Sequence, residues 1–367
     1  MTRTEGLDTQ SHRGEWPDLL RSAVDLNTNL GALPMVGGTQ ATLLPDYQGS
    51  IDEMVAAIDE ASEYVHVEFY LLVLDKTTSG FFDALRRARE RGAVVRVLFD
   101  HLSSIMVPNR RETQGALTAM GAEFHAMLPL RPFRGQWRRP DLRNHRKLVV
   151  IDGRVGFTGS LNLIDSSYLK KKNIARGLHW RELIVRLTGP VVRELDAVFL
   201  TDWYSESEVL LPLDTAPITF GADDRLLDAQ VLPSWPSFDN DNNLELFVSA
   251  IGDQVLVYHA HRSYYEALLR AGVKIYLYRA PTVLHSKHFS VDDEVAIIGS
   301  SNMDIRSFSL NMEVSVLVHG RDFVDAMKKI EDDYRAKSDR LKLDTWLARP
   351  SGGKIRDSLA RLTASLQ

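Results

Sequence analysis

A chain of 367 residues with 44% hydrophobic side chains can bury the cores of two domain-sized units. It has no cysteine, which excludes disulfides, a thiol nucleophile and cysteine-ligated zinc or iron–sulfur centres. A formal charge of −5 leaves any anionic partner to a local basic patch, and with no leader-like opening and no apolar run near roughly 20 residues, membrane contact is expected to be peripheral.

Residues 1–45, punctuated by Gly31, Pro34, Gly37, Gly38 and Pro45, read as an ill-defined N-terminal arm. A first half follows over 46–204. Ile51, Met54, Val55 and Ile58 keep helical spacing, Tyr64 to Val73 is rich in β formers, and Phe81, Leu85 and Ala88 mark a helix stopping at Gly92. Val94 to Phe99 reads as a buried strand, Gly115 to Met120 as helix and Ala122 to Ala126 as extended chain, an α/β alternation. Residues 205–243 carry Pro212, Pro217, Pro233 and Pro236, many acids and Arg225 as their one basic residue, and read as a linker. In the second half, 244–367, Leu244 to Ser249 matches the Val94 to Phe99 strand and Ala271 to Tyr276 matches Met120 to His125. Nothing there answers residues 51–92, so the second half is shortened by a helix, a strand and a helix. Phe323 to Tyr334 is predicted helical, and Ile355, Leu359, Leu362 and Leu366 line one face of a C-terminal helix.

One segment occurs twice. It reads Asn144-His145-Arg146-Lys147 through Asp152, then Gly159-Ser160-Leu161-Asn162, and again Leu284-His285-Ser286-Lys287 through Asp292, then Gly299-Ser300-Ser301-Asn302. Strand alternation places His145 and Lys147 on one face, and a turn at Asp152-Gly153 predicts an antiparallel return that brings Ser160 and Asn162 beside the imidazole. The second hairpin does the same with His285, Lys287, Ser300 and Asn302. Asp152 and Asp292, at the turns, are expected to brace the hairpins. Each hairpin offers one titratable group, one cation and neutral donors, a set that suits a phosphodiester: a neutral imidazole can attack phosphorus, and lysines and amides stabilise the charge that develops. Displacement needs a nucleophile on one side and a proton donor on the other, hence two copies facing each other. No metal or cofactor is implied. His101, His125, His179, His259, His261 and His288 lack this setting and read as ordinary core or surface histidines.

These residues resemble the phospholipase D superfamily, whose duplicated H-x-K-x4-D motif is followed by Gly-Ser-x-Asn, and within it the bacterial cardiolipin synthases. The narrower likeness rests on Arg143 to Lys147, Gly189-Pro190 to Asp202-Trp203, Leu284 to Lys287 and Asn302 to Glu313. It implies two phospholipase D-like α/β/α halves packed as a pseudo-twofold pair within one chain, and a reaction through a phosphohistidine. By that likeness His145 is the nucleophile, His285 the general acid and later the base, and Glu182 and Glu313 hold the catalytic imidazoles. It departs from the pattern in the shortened second half and in lacking the hydrophobic segments with which many bacterial relatives begin.

Before the first motif, Arg131, Arg134, Arg138, Arg139 and Arg143 stand among Leu130, Phe133 and Trp137 and are expected to form a patch for an anionic surface; Lys170-Lys171-Lys172 adds to it. The same patch fits single-stranded nucleic acid, and the family likeness tilts the choice to lipid, with no nucleic acid expected. The resulting expectation is a cytoplasmic, peripherally membrane-associated enzyme, one monomer sufficing for a site, that transfers a phosphatidyl group between phosphatidylglycerol molecules to make cardiolipin. A hydrolytic phospholipase D, a nuclease and a non-catalytic anionic-membrane binding protein stay open beside it.

Overall fold

The computed structural model describes residues 16–31, 33–131, 136–137, 139–213, 226–232, 244–304, 306–307, 310–350, 352, 356–357 and 360. In chain order the first half runs α1 (Asp18–Gly31), β1 (Val36–Leu44), α2 (Tyr47–Asp59), β2 (Tyr64–Phe69), α3 (Ser79–Glu90), β3 (Val94–Asp100), α4 (His101–Met106), α5 (Arg110–Ala119) and β4 (Glu123–Met127). A short ribbon of β5 (Leu130–Arg131) and β6 (Gln136–Trp137) leads to β7 (Lys147–Ile151), β8 (Val155–Gly159), α6 (Lys171–Ala175), β9 (His179–Arg181), β10 (Ile184–Thr188) and α7 (Val191–Ser207). The second half has β11 (Leu227–Leu232), β12 (Glu245–Ser249), α8 (Val255–Arg262), α9 (Tyr265–Arg270), β13 (Lys274–Tyr278), β14 (Thr282–Leu284), β15 (His288–Val291), β16 (Val295–Gly299) and β17 (Ser315–His319). It closes with α10 (Arg321–Ala336), β18 (Ser338–Arg340) and α11 (Leu343–Leu347).

Eleven strands form one sheet in the order β15-β16-β17-β11-β1-β10-β8-β7-β2-β3-β4. The seam between halves is the antiparallel pair β1·β11, so a single hydrogen-bonded surface carries both. Outward from it, β10, β8 and β7 on one side answer β17, β16 and β15 on the other. On the first side the sheet continues through β2, which pairs antiparallel with β7 and parallel with β3. The counterpart of β2 is what the second half lacks. Its β15 therefore ends the sheet, and β12, β13 and β18 form a separate three-stranded sheet in which β12·β13 keeps the parallel pairing of β3·β4.

Alternation along the strands explains the layers. Leu148 and Val150 pack on one face with Leu195 and Phe199 of α7, and the same core runs on to Val316 and Val318 of β17 and to Val324 and Met327 of α10. Val149 and Ile151 point to the other face, where Ile51, Met54 and Ile58 of α2 and Phe81 and Leu85 of α3 cover them. Covered on both faces, β7 is buried along its whole length.

The stretch expected to be an ill-defined arm instead contains α1 and β1. Trp16, Leu20 and Val24 cover Leu232, Ile297 and Leu317, the second-half face from which the equivalents of α2 and α3 are missing. Trp16 Nε1 donates to Asp228 Oδ2 at 2.7 Å, and Gln230 Nε2 donates to Thr28 Oγ1 at 3.1 Å and to the Leu33 carbonyl at 2.9 Å. These partners lie some two hundred positions away, which is why local pattern did not reveal the helix's role. Within the stretch read as linker, α7 extends to Ser207 and β11 joins the main sheet; residues 214–225 and 233–243 lie outside the described residues, as do Ile355, Leu359, Leu362 and Leu366. Among the described residues no helix is long and apolar enough to cross a membrane.

Candidate active site

Both repeated segments fold as hairpins, β7–β8 and β15–β16. Asp152 (φ 50°) and Gly153 (φ 62°) take the left-handed conformations of the first turn, and Asp292 (φ 53°) takes one in the second. The glycine of each Gly-Ser step is demanded by close approach: a β-carbon on Gly159 would lie 2.3 Å from the Leu183 carbonyl oxygen, and one on Gly299 would lie 2.4 Å from that of Val314.

Just before each hairpin, the motif histidine leaves its own sheet and pairs with the other half. The backbone N–H of His145 donates to Met312 at 2.9 Å, and that of Met312 donates to Arg143 at 2.9 Å. In the symmetric place β14 pairs in parallel with β9, and the N–H of His285 donates to Arg181 at 3.0 Å. Each crossing sets an imidazole against the acid that follows its partner strand. His145 Nδ1 lies 3.0 and 3.1 Å from the two carboxylate oxygens of Glu313, and His285 Nδ1 lies 2.8 and 2.9 Å from those of Glu182. Among the described residues neither ring has a protein partner at Nε2.

Burial and charge set the protonation. Burial lowers the His145 pKa below its ordinary 6.5, with Lys147 and Lys287 acting in the same direction against Glu313. Burial likewise takes His285 to about 4 despite Glu182. Each imidazole thus feels both ammonium groups, so the two hairpins contribute to one site. Burial also brings Lys147 down to about 7 and Lys287 to about 8. It would raise Glu313, but the charge of His145 and its hydrogen bond outweigh burial and hold the carboxyl at about 2. Glu182 is lowered in the same way by His285. Each lysine is anchored, Lys147 Nζ donating to the carbonyl of His145 and Lys287 Nζ to that of His285 at 2.6 Å.

The neutral donors sit differently from expectation. Ser160 and Ser300 are fully buried, and their hydroxyls are engaged at the acids or their neighbours. Ser300 Oγ donates to Glu313 Oε2 at 2.6 Å, and its carbonyl oxygen is 3.2 Å from Nδ1 of His145 rather than His285. Ser160 Oγ accepts from the N–H of Leu183, next to Glu182, at 2.9 Å. The reason is the third strand: the return strand continues beside β10 or β17, which carries each serine to the acid serving the opposite half. Asn162 is also buried, its Nδ2 donating to the Tyr168 hydroxyl at 2.9 Å and its Oδ1 accepting from Leu71 at 3.3 Å; Asn302 is half-buried, its backbone N–H donating to Ser307 Oγ at 3.1 Å. Asp152 accepts from the N–H groups of Ser62, Glu63 and Tyr64 at 2.7–2.9 Å, whereas Asp292 is exposed and has no side-chain partner among the described residues.

The basic patch is likewise redistributed. Arg143 is buried, with Nη1 3.2 Å from Asp100 Oδ1, so it is a framework residue and not a surface cation; a buried guanidinium needs that carboxylate. Arg139 is exposed and paired with Asp141. Arg134, Arg138 and the side chain of Arg131 lie outside the described residues. Residues that pattern reading missed complete the site. The Tyr70 ring stands edge-on to His145 at 4.9 Å with Lys147 Nζ 5.4 Å from its centroid, Tyr168 donates to Glu182 at 3.3 Å, and Ser307 donates to Glu313 at 2.8 Å. Beneath them Arg146 ties the Glu313 carbonyl, at 3.0 Å, to Asp202 on α7. Tyr70 lies within the β-forming run from Tyr64 to Val73, and Arg146 and Ser307 lie in segments on which the family likeness rests, but none of these signals says what the side chains meet.

Residues 54–203 and 228–334 match the family described as cardiolipin synthase, phospholipase D-like domain. The cardiolipin synthase of Geobacillus kaustophilus (strain HTA426) is 30% identical over 94% of this chain and 76% of its own length. Cardiolipin synthase 1 of Staphylococcus aureus (strain COL) is 29% identical over 86% of this chain and 71% of its own. Among solved structures, the phosphatidylserine synthase of Haemophilus influenzae Rd KW20 aligns over 94% of this chain and 98% of its own with a TM-score of 0.64 at 14% identity, a likeness of fold.

Proposed function

Because the chain belongs to the cardiolipin synthase family of phospholipase D-like proteins, we propose that His145 and His285 are the two working groups of a phosphatidyltransferase that makes cardiolipin from phosphatidylglycerol. The observation that carries the pairing is the crossed arrangement in which each imidazole has its Nδ1 held by a carboxylate of the opposite half. A carboxylate at Nδ1 fixes the tautomer that leaves Nε2 with its lone pair, the state a nucleophile needs.

In the first step His285 takes up a proton at Nε2 as the phosphodiester anion binds beside it; His145 Nε2 then forms a bond to phosphorus while the bond to the headgroup glycerol oxygen breaks, and His285 gives that oxygen the proton. Glycerol leaves and a phosphatidyl-histidine remains. His285, now neutral, takes the proton from a headgroup hydroxyl of a second phosphatidylglycerol, whose oxygen displaces His145 and forms cardiolipin. Lys147 and Lys287 stabilise the charge on the non-bridging oxygens, and the ionised Glu182 and Glu313 stabilise the imidazolium forms. One monomer holds the complete pair, and it works at the cytoplasmic face of a membrane as a peripheral protein.

Incubation with labelled phosphatidylglycerol vesicles tests this. Cardiolipin and glycerol are the expected products. Phosphatidic acid alone would make the chain a hydrolase, nucleic-acid cleavage in a parallel assay a nuclease, and vesicle binding without turnover a scaffold.

A further inference from the structure

Resting on the reading that the substrate is a membrane lipid, the geometry points to the rim of the cleft as a docking surface for an anionic bilayer. Four segments fastened to the surroundings of the histidines each present an exposed apolar side chain: Met106 on α4 is 77% exposed, Ile174 on α6 57%, Val255 on α8 62% and Met303 69%. Their common placement follows from the contacts beneath them. Helix α4 begins at the strand end where the Asp100 carboxylate accepts from the backbone of Asn144 at 3.1 Å, one residue before His145. Helix α6 follows Tyr168, whose ring stands edge-on to His285 at 6.4 Å. The turn before α8 is fastened to α6, with Lys170 Nζ 2.7 Å from Asp253 Oδ2 and Arg176 donating to Gly252 at 3.4 Å. Met303 is next to Asn302 of the second motif.

Exposed methionine and β-branched side chains cost solvation energy in water unless something covers them, and these four stand on segments tied by the contacts above to the surroundings of the site. Charge selects the occupant. Lys171 and Lys172 are exposed on α6 among these side chains, and an anionic headgroup layer with acyl chains beneath it satisfies both kinds of group. Docked this way, the cleft opens into the headgroup layer, and a phosphodiester reaches His145 and His285 without its acyl chains leaving the bilayer.

The test measures binding to vesicles of phosphatidylglycerol and phosphatidylcholine in equal parts, and separately turnover of short-chain phosphatidylglycerol below its micelle concentration. The combined variant Met106→Ser, Ile174→Ser, Val255→Ser and Met303→Ser is expected to bind vesicles at least tenfold more weakly while keeping wild-type turnover of the monomeric lipid. Val255→Trp and Met303→Trp are expected to be quenched by brominated phosphatidylglycerol, and Leu26→Trp on α1 is not. Vesicle binding by the combined variant equal to wild type overturns the docking surface. Should that variant fail to fold, the tryptophans decide, and quenching no stronger at 255 and 303 than at 26 overturns it as well. Rim quenching with no cardiolipin formed from phosphatidylglycerol vesicles by wild type leaves the docking surface standing and removes the transferase reading.

Discussion

The two hairpins hold the same chemistry in unlike surroundings. In the first half, β7 lies in mid-sheet between β8 and β2, covered by α2 and α3 on one face and α7 on the other. In the second, β15 is the last strand of the sheet and every one of its residues is half-buried. The imidazoles follow suit, the His145 side chain being 11% exposed and that of His285 25%. Yet both keep the same carboxylate contact at Nδ1, because those contacts come from across the seam and not from the unit that one half lacks. What holds the His145–His285 pair is the β1·β11 junction and the crossed strand segments; the α2–β2–α3 unit braces one side only.

Breaking the pair itself has the largest expected effect. His145→Ala and His285→Ala should each lower turnover about 10⁴-fold or more, as for residues that act as a unit. A phosphoenzyme trapped with labelled phosphatidylglycerol should require His145, and a wild-type rate in His285→Ala would sink the two-histidine mechanism. Next comes the substitute cover. Trp16→Ala should destabilise the protein by about 3–5 kcal/mol in denaturant unfolding, the cost of removing a buried tryptophan, with the loss of structure reported by amide exchange in β16 and β17 rather than in β7. Equal loss in both hairpins would mean that α1 supports the whole sheet.

Glu313→Gln and Glu182→Gln sharpen the contrast at the site. Each should lower kcat about 10²–10³-fold through a mis-set tautomer, with KM little changed. Glu313→Gln should be the more severe, since Glu313 also accepts from Ser300 and Ser307. The smallest effects concern the turns. Asp152→Asn should cost about 1–3 kcal/mol, because three backbone N–H groups and a hydroxyl converge on its carboxylate, while Asp292→Asn should stay within about 0.5 kcal/mol. Equal thermal shifts in the two variants would refute the bracing role assigned to Asp152.

Much of this was legible because it repeats locally. The hairpins, the histidine–lysine spacing and the missing unit are all visible as matched strings, whereas the seam strands β1 and β11 lie in stretches read as arm and linker. Glu182 and Glu313 were reachable only through the family likeness, since nothing near them in sequence says which imidazole they meet. The rest depends on contacts far apart along the chain. Alternation alone put Ser160 and Ser300 beside their own histidines, and a third strand that local pattern does not reveal sends them to the acids that hold the opposite histidines. Arg143 looked like one more surface cation until folding set it against Asp100. Helix α1 covers strands two hundred positions away, and Gly and Pro punctuation hid it.

The seam has a kinetic consequence. Enzymes that close two domains over a substrate use a hinge, but here the hairpins that follow the two histidines belong to one hydrogen-bonded sheet, joined where Val36 pairs with Ala229 and Thr39 with Leu227 in β1·β11 and flanked by five paired positions in β1·β10 and five in β11·β17. Such a sheet does not part without losing those bonds, so the spacing of the two imidazoles is set at folding and not at each turnover. Exchange of donor and acceptor lipids then involves no closing of one half over the other.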